Sequence, residues 1–174
     1  MRSILKKSYR ISFAAMFLAL TVITLYLASI LPSGTLGLYF LSSIFTAPLL
    51  SEREPGLAWM LFIGASVLSL LFMTNLLLAL PYIFLFGHYG IGKYYIERMR
   101  GKWKAFLVKL LYYNAALALI YLTCFQLIAG ETLLNMSKAL LIVIAEVSFI
   151  VFDFLYSKVA LFYEMTLRNR LMRD

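Results

Sequence analysis

Residues 57–95 read LAWMLFIGASVLSLLFMTNLLLALPYIFLFGHYGIGKYY, and how this stretch divides decides the fold. A spanning helix needs about 20 apolar residues, with a range of roughly 17 to 25. One helix through the whole stretch would overshoot any bilayer. Thr74-Asn75 interrupts the apolar run, so the pattern predicts two spans, 57–73 and 76–95, joined as a hairpin with Asn75 at its tip.

Outward from this hairpin the same test finds apolar segments at 11–31, 36–50, 105–129 and 139–163, the second of them short and carrying Pro48 near its end. The chain of 174 residues is 63% hydrophobic and only 14% charged, with a mean hydropathy of +0.89. A soluble domain is nearer half apolar and a quarter charged. So much apolar surface cannot be hidden in one small core, and lipid is its natural solvent. The expected fold is all-α: a single integral membrane domain over 1–174, with six transmembrane helices in one bundle.

The positions of the basic residues test that count independently, because cytoplasmic loops collect Lys and Arg. With six spans and both termini cytoplasmic, every Lys and Arg except Lys138 and Lys158 falls on the inner side. These are Arg2, Lys6, Lys7 and Arg10 before the first span and Arg53 after the second. Lys93, Arg98, Arg100, Lys102, Lys104 and Lys109 surround the connection between the fourth and fifth, and Arg168, Arg170 and Arg173 close the chain. An odd number of spans would scatter them over both faces. The fourth connection reads as a long basic loop with Tyr94, Tyr95 and Trp103 at headgroup level. The net charge of +8 therefore serves topology, and its clustering between apolar runs argues against a nucleic-acid partner.

The N-terminus resembles the charged start of a signal peptide. However, the 11–31 run is too long for an h-region and lacks an A-x-A cleavage site, so it reads as a retained first span. Cys124 is the only cysteine, which leaves neither an internal disulfide nor a cysteine-based metal site.

Ionisable groups inside spans are costly and mark functional candidates. Glu146, Asp153 and Lys158 all lie in the sixth span. Glu146 and Asp153 are two helical turns apart and share a face. Glu146 falls about 10 residues from the outer end, roughly 15 Å deep by the helical rise. It reads either as lining a polar site between helices or as a carboxyl that ties the bundle together through Asn114 in the fifth span. For Asp153 a structural partner is expected, such as Lys158 or a cytoplasmic loop. Asn75, Tyr82, Tyr121 and Gln126 sit towards the outer half, where they complete a pocket opening outwards or serve as helix glue.

The hairpin stretch ends in Gly87-His88-Tyr89-Gly90-Ile91-Gly92-Lys93-Tyr94, one residue short of the phosphate-cradling G-x-x-x-x-G-K-[ST]. A working loop of that kind follows a buried strand and holds Mg²⁺ with the Ser or Thr. Here an apolar span precedes it and Tyr94 stands at the last position. The reading is a glycine-softened span end entering the basic face. His88, the only histidine, has no metal-binding companion. No H-E-x-x-H, no G-x-S-x-G and no paired-acid run for head-group chemistry occurs, so the sequence points away from an enzyme and implies no cofactor.

The first span contains Ala15-Met16-Phe17-Leu18-Ala19, which puts two small side chains one turn apart on one face; Ala65 and Ser69 in the third span make another such pair. Small-xxx-small faces permit close backbone approach between helices in lipid. Length, six spans, cytoplasmic termini and A-x-x-x-A shortly after a basic start together resemble the substrate-binding S component of energy-coupling factor (ECF) transporters. The resemblance covers nearly the whole chain. It implies a multi-pass subunit of a prokaryotic plasma membrane that captures a vitamin or related micronutrient from outside. Ala15 and Ala19 would dock on a transmembrane T component driven by two cytoplasmic ATPases, and the loaded subunit would reorient in the bilayer when that partner moves. By the same resemblance the ligand is held by the later helices and the loop after the first span. That loop, LPSGTLG, is short and carries few polar groups. A second class also fits the size and span number: an envelope-assembly scaffold resembling the rod-shape determinant MreD, which needs no ligand. A substrate subunit should have a ligand-sized cavity under the first loop, whereas a scaffold should be filled there by Leu and Phe.

Overall fold

The computed structural model describes residues 2–31, 33–73, 75–128 and 138–167, and among them there is no strand. Helix α1 (Arg2–Ile30) enters a turn at Gly34, whose φ of 80° is left-handed backbone that glycine adopts without strain. Helices α2 (Thr35–Ile44) and α3 (Ala47–Ser51) make up one short apolar segment. It breaks at Phe45-Thr46 because Pro48, in the first turn of α3, has no N–H to continue the helical ladder. Helix α4 (Pro55–Phe72) opens on Pro55, where a missing N–H costs nothing.

The hairpin expected in 57–95 is present. Met73 leaves the helix in extended backbone, and Asn75 caps the next element by accepting a 3.0 Å hydrogen bond from Leu77 N. The returning rod, Leu76–Ile96, changes pitch along its length. It starts as a 3₁₀ turn (Leu76–Ala79), passes through a π segment (Tyr82–Phe86) and ends as helix α5 (Gly87–Ile96). Pro81 stands between the two irregular parts and removes one ladder bond, and the backbone takes up the defect by tightening before it and widening after it. Helix α6 (Lys102–Ile128) and helix α7 (Lys138–Phe162) follow, and α7 ends in a π turn (Tyr163–Leu167).

Four of these elements are long and apolar enough to cross a membrane: Ser8–Ile30, Pro55–Phe72, Leu76–Ile96 and Lys102–Thr123. Half of the Leu76–Ile96 rod is buried within the protein against 22% for each of the other three, which makes it the central helix. α1 packs on α2 and α4, and the rod touches α2, α4 and α6. Around it lie three apolar clusters. Leu25, Tyr39, Ala65, Met73 and Tyr82 fill the end near the hairpin tip; Leu85, Tyr89, Tyr113, Phe149 and Phe152 join the rod to α6 and α7; and Leu49, Leu61 and Ile91 fill the basic end. The outer faces carry Ile23, Met60, Ile63, Leu71, Leu111, Leu122 and Val147, all exposed. An apolar belt of that extent is suited to lipid and costly in water.

The glycine-rich stretch is helix, and its glycines are contact points. A Cβ at Gly90 would lie 2.1 Å from Tyr156 Oη and 2.6 Å from Thr46 Oγ1, and one at Gly87 would lie 2.6 Å from the Phe62 ring. The expected long basic loop between the fourth and fifth spans is not there. The rod runs to Ile96 and α6 starts at Lys102, so the connection is five residues, 97–101, closed by Gly101 at φ 104°. Lys93 and Lys109, counted with that loop from their sequence positions, lie inside helices and are only 4% and 8% exposed. Their ammonium groups have acceptors within the protein, and this draws them inward.

Candidate functional site

Helix α7 carries both acids of the sixth segment, and each faces a different part of the bundle. Asp153 is the hub of a charged network that joins the rod, α6 and α7. Its Oδ1 accepts a 2.7 Å hydrogen bond from Tyr89 Oη and an ion-paired hydrogen bond from Lys93 Nζ. Its Oδ2 accepts from Lys109 Nζ at 2.8 Å. Lys93 Nζ also donates to Ser157 Oγ at 2.7 Å and to the Asp153 carbonyl at 3.1 Å. Glu97 lies one turn beyond Lys93 and faces both lysines, 3.2 Å from Lys93 Nζ and 3.1 Å from Lys109 Nζ. Two cations thus meet two anions. Removing Asp153, the buried anion between the two lysines, leaves uncompensated charge in a poorly solvated place, at a cost of about 3–5 kcal/mol, whereas Glu97 is exposed and its removal costs less.

The network can assemble because Gly90, one turn before Lys93, lets α7 come close. Tyr156 fills the space over Gly90 and shares a 2.9 Å hydrogen bond with Thr46 at the α2–α3 break. Lys158 has no part in it; its ammonium sits 5.2 Å from the centroid of the Phe154 ring. The expectation that Lys158 or a loop residue partners Asp153 is therefore corrected. The partners are two lysines from neighbouring helices, which sequence distance had hidden.

Glu146, two turns earlier and half-buried, has a simpler setting. Asn114 Nδ2 donates to its Oε1 at 2.8 Å and also to Leu110 O at 3.0 Å, so the amide ties α6 to α7. Tyr113 Oη reaches the Ala145 carbonyl at 3.3 Å beside it.

The other expected site residues stand in separate surroundings. Asn75 is exposed and uses its side chain to cap the rod. Tyr82 is fully buried among Leu25, Tyr39 and Met73, and its hydroxyl has no hydrogen-bond partner among the described residues. Tyr121 lies on α6 with 52% of its surface exposed. The side chain of Gln126 falls outside the described residues. Among the members of that set whose side chains are described, only Glu146 and Asn114 come together. His88 Nδ1 and Tyr112 Oη share a hydrogen bond, and the ring packs edge-on against Phe62, which commits it to helix packing. Among the described residues no three His, Cys, Asp or Glu side chains converge as a metal-ligand set.

The two small-residue pairs differ in the same way. Ala65 and Ser69 of α4 are 0% and 1% exposed, consumed by packing inside the bundle. Ala15 and Ala19 of α1 lie on its exposed face.

No protein-family model matches the chain, no curated protein matches it, and no solved structure matches it. The helical fold and its apolar outer belt define the class as that of helical membrane proteins.

Proposed function

We propose that the chain is a six-span subunit of a prokaryotic plasma membrane, with its basic end and both termini in the cytoplasm, acting as the substrate-binding S component of an ECF-type importer. In this reading it captures a vitamin or related micronutrient outside and is reoriented by a T component coupled to two ATPases. The observation that carries it is the exposed Ala15 and Ala19 pair: a smooth strip of α1 left open, while the equivalent strip on α4 is covered. A small-residue face gains contact only when another helix lies against it. Glu146 and Asn114 are the residues assigned to the ligand, since among the described side chains of the expected set they are the polar pair that meets between helices.

The test is Ala15→Trp with Ala19→Trp, followed by affinity purification and mass spectrometry of co-purified proteins. The double variant is expected to lose a T-type partner while keeping its monomer elution and melting behaviour, because both positions face outwards. Retained association overturns the docking assignment.

A second reading, the ligand-free envelope scaffold, draws support from the packing near the hairpin tip. There Tyr82 is enclosed by Leu25, Tyr39 and Met73, with Leu38 and Leu78 against them. Co-purification of wall-synthesis proteins in place of ATPases selects it.

A further inference from the structure

At the basic end, α3, α5 and the end of α7 enclose a cleft of about 410 Å³. Its lining is divided in character. Ala47, Leu50, Ala160 and Leu161 supply apolar surface, whereas Arg53, Arg98 and Glu164 supply charge. Lys93 and Glu97 border it too, but Lys93 Nζ and Glu97 Oε1 are engaged with each other and with the Asp153 network, and together the two side chains carry no net charge. Arg53 and Arg98 are the cations of the lining outside that network.

Arg53 is the more telling of them. Its φ of 59° makes it the one non-glycine residue with left-handed backbone among the described residues. It ends α3 in the position where glycine is the usual choice, with Arg53 N donating to Leu50 O and Glu54 N to Leu49 O, both at 3.0 Å. A β-carbon there is strained, and strain of this kind collects at functional positions. Arg53 is exposed and takes part in none of the ion pairs among the described residues. Arg98 is held flat by its neighbour: the guanidinium carbon lies 3.9 Å from the Tyr94 ring centroid and one nitrogen donates to the Tyr94 hydroxyl. The planar fork of a guanidinium matches phosphate oxygens two at a time.

We infer that this cleft binds a phosphate ester through Arg53 and Arg98, with an attached apolar chain against Leu50, Ala160 and Leu161. Two arginines against Glu164 leave one positive charge, which a single phosphodiester neutralises, and Glu164 accepts from a hydroxyl or amine on the same headgroup. The inference needs only the membrane class of the protein and does not depend on the transport reading.

The test is native mass spectrometry of the full chain in detergent, titrated with dioleoyl phosphatidylglycerol and, separately, with dioleoylglycerol, which has the same chains and no phosphate. Phosphatidylglycerol is expected to bind and dioleoylglycerol to bind at least about fivefold more weakly, the order of loss for one charge-assisted bidentate contact. Arg53→Gly removes the guanidinium and relieves the backbone, so it should lower phosphatidylglycerol affinity by a similar factor without lowering the melting temperature. Arg98→Ala should do the same to affinity. Competition with soluble glycerol 1-phosphate separates the sources. Displacement assigns the site to a soluble ester, and no displacement assigns it to a lipid headgroup. Equal binding of the two lipids, or unchanged affinity in Arg53→Gly, overturns the inference.

Discussion

Asp153 and Glu146 sit two turns apart on one helix, yet the protein treats them as different kinds of residue. Asp153 has both carboxylate oxygens occupied by donors from the rod and α6, and its two lysines are almost fully buried. Glu146 has one amide partner and stays half-buried. The difference comes from what stands opposite. Near Asp153 the rod offers a glycine face, so helices approach closely and long cationic side chains can lie along them. Near Glu146, α6 and α7 meet through large rings, with Tyr113 against Phe149 at 4.5 Å between centroids. A carboxylate in the first setting is a structural rivet. In the second it makes a single tie to Asn114, and a ligand at it is the proposal.

Substitutions at both places turn this contrast into numbers. The largest effect is expected for Asp153→Asn, which keeps the shape but leaves Lys93 and Lys109 facing each other with one fewer anion. Thermal or chemical unfolding in detergent should show a loss of about 3 kcal/mol or failure to purify as a monodisperse species. A loss under about 1 kcal/mol would mean that water reaches the lysines and that the network is ornamental. Gly90→Ala should come next. Its new methyl meets Tyr156 Oη and Thr46 Oγ1, and overpacking of this kind costs about 1–3 kcal/mol. Pairing it with Tyr156→Phe should recover part of that loss, since one of the clashing atoms is removed. Smallest in stability is Glu146→Gln. The amide oxygen still accepts from Asn114, and polar contacts between membrane helices average only about 0.6 kcal/mol. Its effect should appear in binding, with a cationic or donor-rich ligand weakened by more than tenfold, about 1.4 kcal/mol. A melting shift as large as that of Asp153→Asn would erase the distinction between the two acids.

The Asn114–Glu146 pair was legible in the sequence because both residues are isolated polar groups at corresponding depths of adjacent segments. The Asp153 network was not. Charge counting along the chain assigns Lys93 and Lys109 to a loop, since each lies near a run of exposed basic residues, Arg98, Arg100, Lys102 and Lys104. A one-dimensional pattern carries no information on whether a lysine at a helix end points out to headgroups or back along the helix to a carboxylate. The glycine stretch was read as the softened end of a span, and it is helical, but what its glycines pack against was not legible. Gly87, Gly90 and Gly92 look like loop chemistry in sequence, but in an apolar helix they mark where another helix comes near.

Composition and segment length by themselves determined that the described chain is helical, that it carries helices long and apolar enough to cross a membrane, and that it turns back at Asn75. Those outcomes follow from local quantities: the number of apolar residues in a row and the polar residues that break the run. Which helix is central, which small-residue pair is covered and which is open, and which lysines answer Asp153 were decided only by the tertiary structure. Each depends on the rotation of one helix against another, set by shape complementarity at glycines and rings far apart in the sequence. That rotation buries Lys93 beside Asp153 and leaves Arg53 over an open cleft, although both begin as basic residues near the same end of the bundle.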